Sequence, residues 1–187
     1  AATMAFSSIQ NNDKVGMIMF SDKIEKFIPP KKGRKHILLL IREIINYQPE
    51  NEGTDIDQAL RFLTNAIKKR TAAFLISDLI DTHDYTQSLM IASRKHDLVT
   101  LQVYDKRDCE MPNVGLVKMR DLETGETAWI DTSSKSVRKT YAKAWYDRQQ
   151  WISSVMTKSG VDMTSIATDE DFVKALLGMF RRRSVAR

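Results

Sequence analysis

The sequence predicts an α/β fold: a doubly wound, mostly parallel sheet flanked by helices, with an antiparallel edge strand and a small β-hairpin insertion. Three observations predict it. Apolar runs of strand length alternate with segments in which apolar residues recur every three or four positions. The runs at 71–80 and 98–104 are almost continuously apolar, as expected of parallel strands covered by helices on both faces. A helical segment separates these two runs, which favours a right-handed parallel crossover.

The first third of the chain supplies five elements. They are a helix at 1–12, a strand at 15–21, a strand at 24–28, a helix at 36–47 and a helix at 56–67. The first strand is apolar throughout, so we expect it to be buried. The second alternates apolar with charged residues before Pro29 and Pro30, as an antiparallel edge strand does. The helix at 36–47 is apolar on all sides, and we expect it to be deeply packed.

The rest of the chain continues the alternation of strands and helices. Its predicted elements are a central strand at 71–80, a helix at 85–96, a strand at 98–104, a β-hairpin at 114–131 around a turn at 123–125, a long helix from Ser133 or Ser134 to Gly160, a strand at 161–167 and a closing helix. Thr168, with Asp171 three residues on, predicts the cap of the closing helix. We expect that helix to bury one apolar stripe, formed by Phe172, Leu176 and Phe180.

Length and composition limit the class of protein. With 187 residues and 42% hydrophobic content, the chain is predicted to form a single domain over residues 1–187. Cys109 is the only cysteine, so no intrachain disulfide can form, which favours a cytoplasmic location. No apolar run reaches the roughly 18 residues of a membrane span. The net charge of +5 comes largely from the runs 31–35 and 181–183, and no aromatic stacking surface accompanies them, so nucleic acid is a disfavoured partner.

Two polar residues mark the candidate site. Parallel sheets of this class bind ligands at the carboxyl ends of their strands, and Asp78 is placed there by the predicted strand at 71–80. Thr54 begins a helix that should enter from the same edge. A hydroxyl and a carboxylate are oxygen ligands, which Mg²⁺ prefers. A competing interpretation is structural: Thr54, with Asp57 three residues on, caps that helix, and Asp78 is a turn residue.

An enzymatic alternative rests on the run SDLIDTHD. Its carboxylates Asp78, Asp81 and Asp84, with His83, could form the metal site of a phosphoester hydrolase or nuclease. The sequence has no Gly-x-x-x-x-Gly-Lys loop, no Gly-x-Ser-x-Gly elbow and no His-Glu-x-x-His pair, and Cys109 has no nearby histidine to activate it. His36 and His96 are interpreted as structural. We therefore expect a protein that is not an enzyme.

Five segments resemble one bacterial family in order and spacing. They are NNDKVGMIMFSDKIEKFIPPKKGRKHILLLIREI, EGTDIDQAL, FLISDLID, MPNVGLVKMRDLETGETAWIDT and ATDEDFVKALLGMFRRR. The family is the uncharacterised von Willebrand factor A-like group known as domain-of-unknown-function family 58, which is often encoded beside MoxR-type AAA+ ATPases. The resemblance covers essentially the whole chain.

The resemblance implies a Rossmann-like sheet that carries a metal-ion-dependent adhesion site. Its ligands come from an Asp-x-Ser-x-Ser motif, a threonine and an aspartate; Thr54 matches the second and Asp78 the third. The first motif is absent from this sequence, so the resemblance implies a domain that lacks its first strand. A sheet in the family's order would then have a gap, left open or filled by another chain, including a second copy. The implied cofactor is Mg²⁺ or Mn²⁺ in the complete protein, and the implied partner is a MoxR-type ATPase or its client, in protein assembly or maturation.

Overall fold

The computed structural model describes residues 1–49, 53–120 and 127–185. Contacts between residues divide the chain into two compact units. The first comprises Ala1–Lys68 and Asp81–Tyr85, and the second comprises Lys69–Ile80 and Thr86–Arg187. Each unit is described by itself, and the prediction of a single domain stays a prediction. In the described part of the chain no helix is both long and apolar enough to span a membrane.

The first unit has two strands and three helices. They are α1 (Ala2–Gln10), β1 (Val15–Phe20), β2 (Ile24–Lys31), α2 (Arg34–Asn46) and α3 (Ile56–Ala66). Strands β1 and β2 pair antiparallel, as predicted, and form a two-stranded sheet of their own. All six residues of β1 are half-buried, so the prediction of a buried strand is wrong. The physical reason is that β1 is hydrogen-bonded to one neighbouring strand only among the described residues.

Gly16 is required by the close approach of the two strands. The register shifts between Val15 and Met17, opposite the prolines of β2. A Cβ atom on Gly16 would lie 2.8 Å from the Ile28 carbonyl oxygen and 2.9 Å from the Pro30 nitrogen, closer than real Cβ contacts. Any larger residue at this position must therefore separate β1 from β2.

Helix α2 is packed on one face only. Ile37 and Leu40 are buried, at 1% and 2% exposure, in a cluster with Ala5 of α1 and Ile28 of β2. On the opposite side, Leu38 is 47% and Ile45 is 74% exposed. The prediction of a deeply packed helix is therefore wrong, because α1 and β1 cover one side of α2 and leave aliphatic residues on the other in contact with solvent.

The second unit contains the parallel sheet. Its elements are β3 (Ala72–Ser77), α4 (Thr86–Lys95), β4 (Asp97–Tyr104), α5 (Lys106–Cys109), β5 (Leu116–Arg120), β6 (Thr127–Asp131), α6 (Lys135–Ser159), β7 (Asp162–Ala167) and α7 (Phe172–Val185). The sheet has the order β3-β4-β7 with both pairings parallel, so the chain has a mixed α/β fold, as predicted. The predicted central position of the strand at 71–80 is wrong, since among the described residues β3 pairs only with β4, and β4 lies at the centre.

Strands β5 and β6 pair antiparallel within the predicted hairpin at 114–131. The predicted turn at 123–125 lies outside the described residues. Leu116 and Trp129 are each about two-thirds exposed, at 64% and 66%. The hairpin therefore contributes little to the core of this unit.

The long helix α6 begins and ends as its sequence predicts. The Ser134 hydroxyl caps it by accepting the Val137 N–H at 3.5 Å. Gly160 ends it in the left-handed conformation, with φ of 63°. That backbone conformation is open to glycine at little cost and disfavoured for other residues.

Helix α7 differs from its prediction in its capping residue and in which of its residues are buried. Its cap is Asp171, whose Oδ1 accepts the N–H groups of Val173 and Lys174 at 3.0 and 3.4 Å. Thr168 does not take this part because the helix begins at Phe172, so Asp171 and not Thr168 lies directly before the first turn. The buried residue of the helix is Met179.

The predicted stripe of α7 is only partly buried. Phe172 and Phe180 are each 47% exposed, whereas Met179, which the predicted stripe did not include, is 1% exposed. Near the end of α7, Arg183 forms ion pairs with Asp97 of β4 and with Asp162 of β7, the latter at 3.0 Å. This arginine fastens the helix to the starts of two parallel strands.

Candidate functional site

The cap of α3 is Asp55 rather than Thr54. The Asp55 Oδ1 accepts the Gln58 N–H at 2.7 Å, the bond that a residue directly before a helix makes. The Asp55 N–H donates to the Ser21 carbonyl at 2.8 Å, which fixes the backbone at this position. The prediction that Thr54 caps the helix is therefore wrong, although Asp57 does lie in the first turn.

A second carboxylate reaches the same helix start from the segment 81–85. The Asp81 side chain is fully buried, and its Oδ2 accepts the Ile56 N–H at 2.7 Å. Ile56 is itself completely buried, so water cannot replace this acceptor. Two aspartates thus satisfy the amino terminus of α3, where negative charge also complements the helix dipole.

The other oxygen of Asp81 binds His83. Oδ1 accepts the His83 backbone N–H at 2.7 Å and lies 2.9 Å from the ring Nδ1. The pKa of the exposed His83 ring is raised from its usual value of 6.5, first by the hydrogen bond to Asp81, then by the charge of Asp81, and further by Asp55 and the Thr54 carbonyl. Asp81 therefore favours the protonated form of the ring.

Asp55, Asp81 and His83 can each present one ligand atom within 4.8 Å of the other two. Their hydrogen bonds disfavour a metal here. Both Asp81 oxygens already accept N–H groups, and a raised pKa favours an imidazolium, which has no lone pair for a cation. We interpret the cluster as a cap reinforced by an ion pair.

Thr54 is left available by this arrangement. Its side chain is half-buried, beside the capping residue Asp55. Among the described residues its hydroxyl has no hydrogen-bond partner, since Asp55 and Asp81 satisfy the helix start in its place. A hydroxyl that is not needed for the helix can serve as a ligand.

Asp78 lies where the sequence predicted it, directly after β3 at the carboxyl edge of the parallel sheet. Its side chain is exposed, and Oδ1 accepts the Ile80 N–H at 3.0 Å. Within the described part of the chain, its Oδ2 atom has no hydrogen-bond partner. The second carboxylate oxygen is therefore free for a cation.

The backbone around Asp78 is fixed by residues that sequence reasoning missed. Gln102 of β4 is completely buried, donates to the Asp78 carbonyl at 3.2 Å and accepts the Ser165 hydroxyl at 2.8 Å. Leu79 adopts φ of 64°, a left-handed conformation that is rare for leucine, and is 1% exposed. A glutamine inside the apolar run LVTLQVY was the one sequence signal of this support.

The predicted site residues are distributed over both units. Thr54, Asp81, His83 and Asp84 belong to the first unit, and Asp78 belongs to the second. The metal-ligand group found among the described residues contains Asp81 but neither Asp78 nor Asp84. His36 contacts the Val15 carbonyl through Nε2 at 2.8 Å, and His96 is completely buried. Cys109 is free and half-buried.

Two solved structures are similar to this chain. The conserved hypothetical protein BatB of Bacteroides thetaiotaomicron has a TM-score of 0.57 and 16% identity, covering 99% of this chain and 86% of that one. An aerotolerance-related membrane protein of Bacteroides fragilis has a TM-score of 0.54 and 17% identity, covering 90% and 80%. Identity at this level establishes the fold alone, so these neighbours and the topology define the class as a mixed α/β domain with a parallel three-stranded sheet.

Sequence relatives define the family. An uncharacterized protein of Mycobacterium tuberculosis is 23% identical over 175 residues, covering 92% of this chain and 55% of the relative. An uncharacterized protein of Mycobacterium avium is 25% identical over 158 residues, covering 83% and 93%. The chain thus spans about half the length of the first curated relatives it matches. It belongs to the DUF58 family, described as proteins of unknown function, which matches residues 1–151.

Proposed function

We propose that this domain is a non-enzymatic protein-interaction module. In the complete protein, Thr54 and Asp78 contribute ligands to Mg²⁺ or Mn²⁺, and the cation accepts an acidic side chain of a partner protein. The proposal assigns these two residues the threonine and aspartate positions of a metal-ion-dependent adhesion site on a von Willebrand factor A-like domain. It rests on the sequence resemblance and on the chemistry of each residue in its own unit.

One observation carries the proposal. A threonine at the start of a helix ordinarily caps it, yet here Asp55 and Asp81 accept the N–H groups of Gln58 and Ile56. The Thr54 hydroxyl is left without a hydrogen-bond partner among the described residues, as is the Asp78 Oδ2 atom. Both are hard oxygen donors, the type of ligand that Mg²⁺ and Mn²⁺ prefer over softer donors such as sulfur.

The partner we propose is a MoxR-type AAA+ ATPase or one of its client proteins, in protein assembly or maturation. This part rests on the family resemblance alone. A cation with an incomplete shell of protein ligands can take a carboxylate from a second protein, which makes the interaction dependent on the metal. Chelation of the cation should then dissociate the complex without unfolding the domain.

Calorimetric titration of the full-length protein with Mg²⁺ and with Mn²⁺ tests the site. We expect Thr54→Ala and Asp78→Ala each to weaken cation binding by about tenfold or more, because each removes one ligand from a small set. Asp57→Ala is the matched control, since it removes a half-buried carboxylate that forms an ion pair with Arg61 and lies in the first turn of the same helix. Undiminished binding in both site variants would contradict the assignment.

The same preparation separates an interaction module from an enzyme. A metal-dependent hydrolase that uses Asp78, Asp81 and Asp84 should cleave a generic phosphodiester in the presence of Mg²⁺ or Mn²⁺. We expect no turnover above the rate without protein. Turnover that is lost in Asp81→Asn would replace the proposal by the hydrolase.

We further propose that an open strand edge of this chain accepts a strand from another chain, including a second copy. Among the described residues, β1 is paired only with β2, and β3 only with β4. An unpaired edge presents a row of N–H and carbonyl groups that another strand can satisfy. Sedimentation of residues 1–187 over a range of concentrations should reveal association, and a monomer at every concentration would contradict it.

A further inference from the structure

The outer face of α2 combines cations with exposed aliphatic side chains. Successive residues of a helix are about 100° apart, so Arg34, Lys35, Leu38, Arg42 and Ile45 fall within an arc of about 100°. All five are exposed, and Leu38 and Ile45 reach 47% and 74%. Within this arc of the described helix there is no acidic residue. Amphipathic helices that lie on a membrane surface carry this combination of side chains.

Lysines at one end of the β1–β2 sheet enlarge the positive surface. Lys31 is paired in register with Val15, and His36 Nε2 lies 2.8 Å from the Val15 carbonyl oxygen. These contacts hold the start of α2 beside the end of the β1–β2 sheet. The surface, which we call the basic face, consists of α2's outer arc and three exposed lysines, namely Lys14, Lys31 and Lys32.

The charges of the basic face are not neutralised by the fold. Arg42 lies 3.7 Å from Glu43, but the other five cations form no ion pair with any described residue. Asp13, next to Lys14, and Glu43, next to Arg42, are the carboxylates adjacent in sequence to the six cations, which leaves a clear excess of positive charge. Such an excess attracts a polyanion at short range.

The positions of these charges work against the helix itself. Gly33 precedes α2 without a side-chain cap, and the first turn contains Arg34 and Lys35 but no acidic residue. Cations at the amino terminus of a helix face the positive end of its dipole and lower its stability. Residues that oppose local stability are expected at functional surfaces, where another molecule compensates for them.

We propose that the basic face binds the surface of an anionic lipid membrane. The lysines and arginines would contact lipid phosphates, and Leu38 and Ile45 would enter the boundary between headgroups and acyl chains. The aliphatic residues favour lipid over nucleic acid, since a phosphate backbone offers nothing for them to contact. No aromatic residue accompanies the described basic face, as binding of single-stranded nucleic acid would require. This binding involves neither Thr54 nor Asp78.

Flotation of the full chain with lipid vesicles tests the proposal. The probes are vesicles of phosphatidylcholine alone and of phosphatidylcholine mixed with phosphatidylglycerol. We expect binding only to the anionic vesicles, with a partition coefficient that falls as salt is added. Reversing two cations in Arg34→Glu/Lys35→Glu should lower that coefficient by about thirtyfold or more, because each cation near an anionic surface contributes about fivefold.

Two further variants make the test specific. Leu38→Ser/Ile45→Ser should lower the partition coefficient by about tenfold or more, an effect that electrostatic attraction alone would not give. Lys68→Glu/Lys69→Glu makes the same change of charge at two exposed lysines that do not belong to the basic face and should retain binding. Acidic residues at the start of α2 favour the helix, so Arg34→Glu/Lys35→Glu should keep the far-UV circular dichroism of the wild type.

Three results would overturn the proposal. The first is equal binding to neutral and anionic vesicles. The second is an equal loss of vesicle binding in the Lys68→Glu/Lys69→Glu control, which would show that the effect depends on net charge alone. The third is no vesicle binding together with tight binding of duplex DNA or polyglutamate, which would assign the basic face to nucleic acid or to an acidic protein.

Discussion

Asp81 should be among the most sensitive residues of the first unit. Asp81→Ala removes the acceptor of the Ile56 N–H, which lies in a fully buried residue, and also removes the acceptor for His83. A hydrogen bond to a charged group contributes about 1.5–3 kcal/mol, and an orphaned buried donor costs about 1–3 kcal/mol. We expect the variant to destabilise α3 by about 3 kcal/mol. Asp81→Asn, which keeps an acceptor oxygen, should cost about 1 kcal/mol.

The measurement must report on α3 itself. All three tryptophans lie between 129 and 151, in the second unit, so the first unit has no tryptophan of its own to report on this helix. Amide hydrogen exchange does, because a loss of about 3 kcal/mol accelerates exchange through local opening by about 100-fold. We expect the acceleration at the amides of Ala59 and Leu60.

Asp57→Ala provides the comparison. Asp57 lies in the same first turn but forms an ion pair with the exposed Arg61 side chain, at 2.7 Å, and ion pairs that solvent can reach contribute about 0–1 kcal/mol. Exchange in α3 should change by less than about fivefold in that variant. If Asp81→Ala changed exchange no more than Asp57→Ala does, the buried-cap argument would be refuted.

Three other sets of substitutions should each change stability in a definite direction. The pKa of His83 is raised, so its protonated ring stabilises the fold at acidic pH and loses that effect as pH rises through the folded-state pKa. The difference in urea midpoint between the wild type and His83→Gln should therefore be larger at about pH 5.5 than at about pH 9. Gly160→Ala, at φ of 63°, should lower stability by about 1 kcal/mol, whereas Gly178→Ala inside α7 should raise it by about 0.5–1 kcal/mol; equal signs by urea unfolding would contradict this. Arg183→Ala removes the ion pairs with Asp97 and Asp162, whose side chains are 33% and 62% exposed, and should cost about 1 kcal/mol by thermal unfolding. An effect no larger than that of Arg181→Ala would be inconsistent with the ion pairs.

The periodicity of the sequence was sufficient for the order and type of the described elements except the short helix α5, which was not predicted. Helical spacing and apolar runs report the local backbone directly, and strands β4 and β7 lie within one residue of their predicted bounds. Gly160 was predictable because a left-handed helix end selects glycine on steric grounds. Asp78 was predictable because loops at the carboxyl edge of parallel strands can expose a carboxylate without breaking the ladder.

Burial and capping were less predictable because they depend on residues distant in sequence. Thr54 and Asp55 are both competent caps, and the Ser21 carbonyl, which binds the Asp55 N–H, decides between them. Likewise, the apolar composition of α2 does not specify which of its faces has a neighbour. The support of Asp78 by Gln102 requires knowledge that β3 and β4 are adjacent.

The two edges of the β1–β2 sheet differ in chemistry, and this limits how many chains can join through it. Strand β2 carries Glu25, Lys26 and two consecutive prolines, which discourage pairing with a further strand. Strand β1 has neither a charged residue nor a proline. If two copies paired through their β1 strands, the two outer edges of the joined sheet would be the β2 strands, which discourage further pairing. Such growth terminates at a closed, two-fold pair instead of continuing into a fibre.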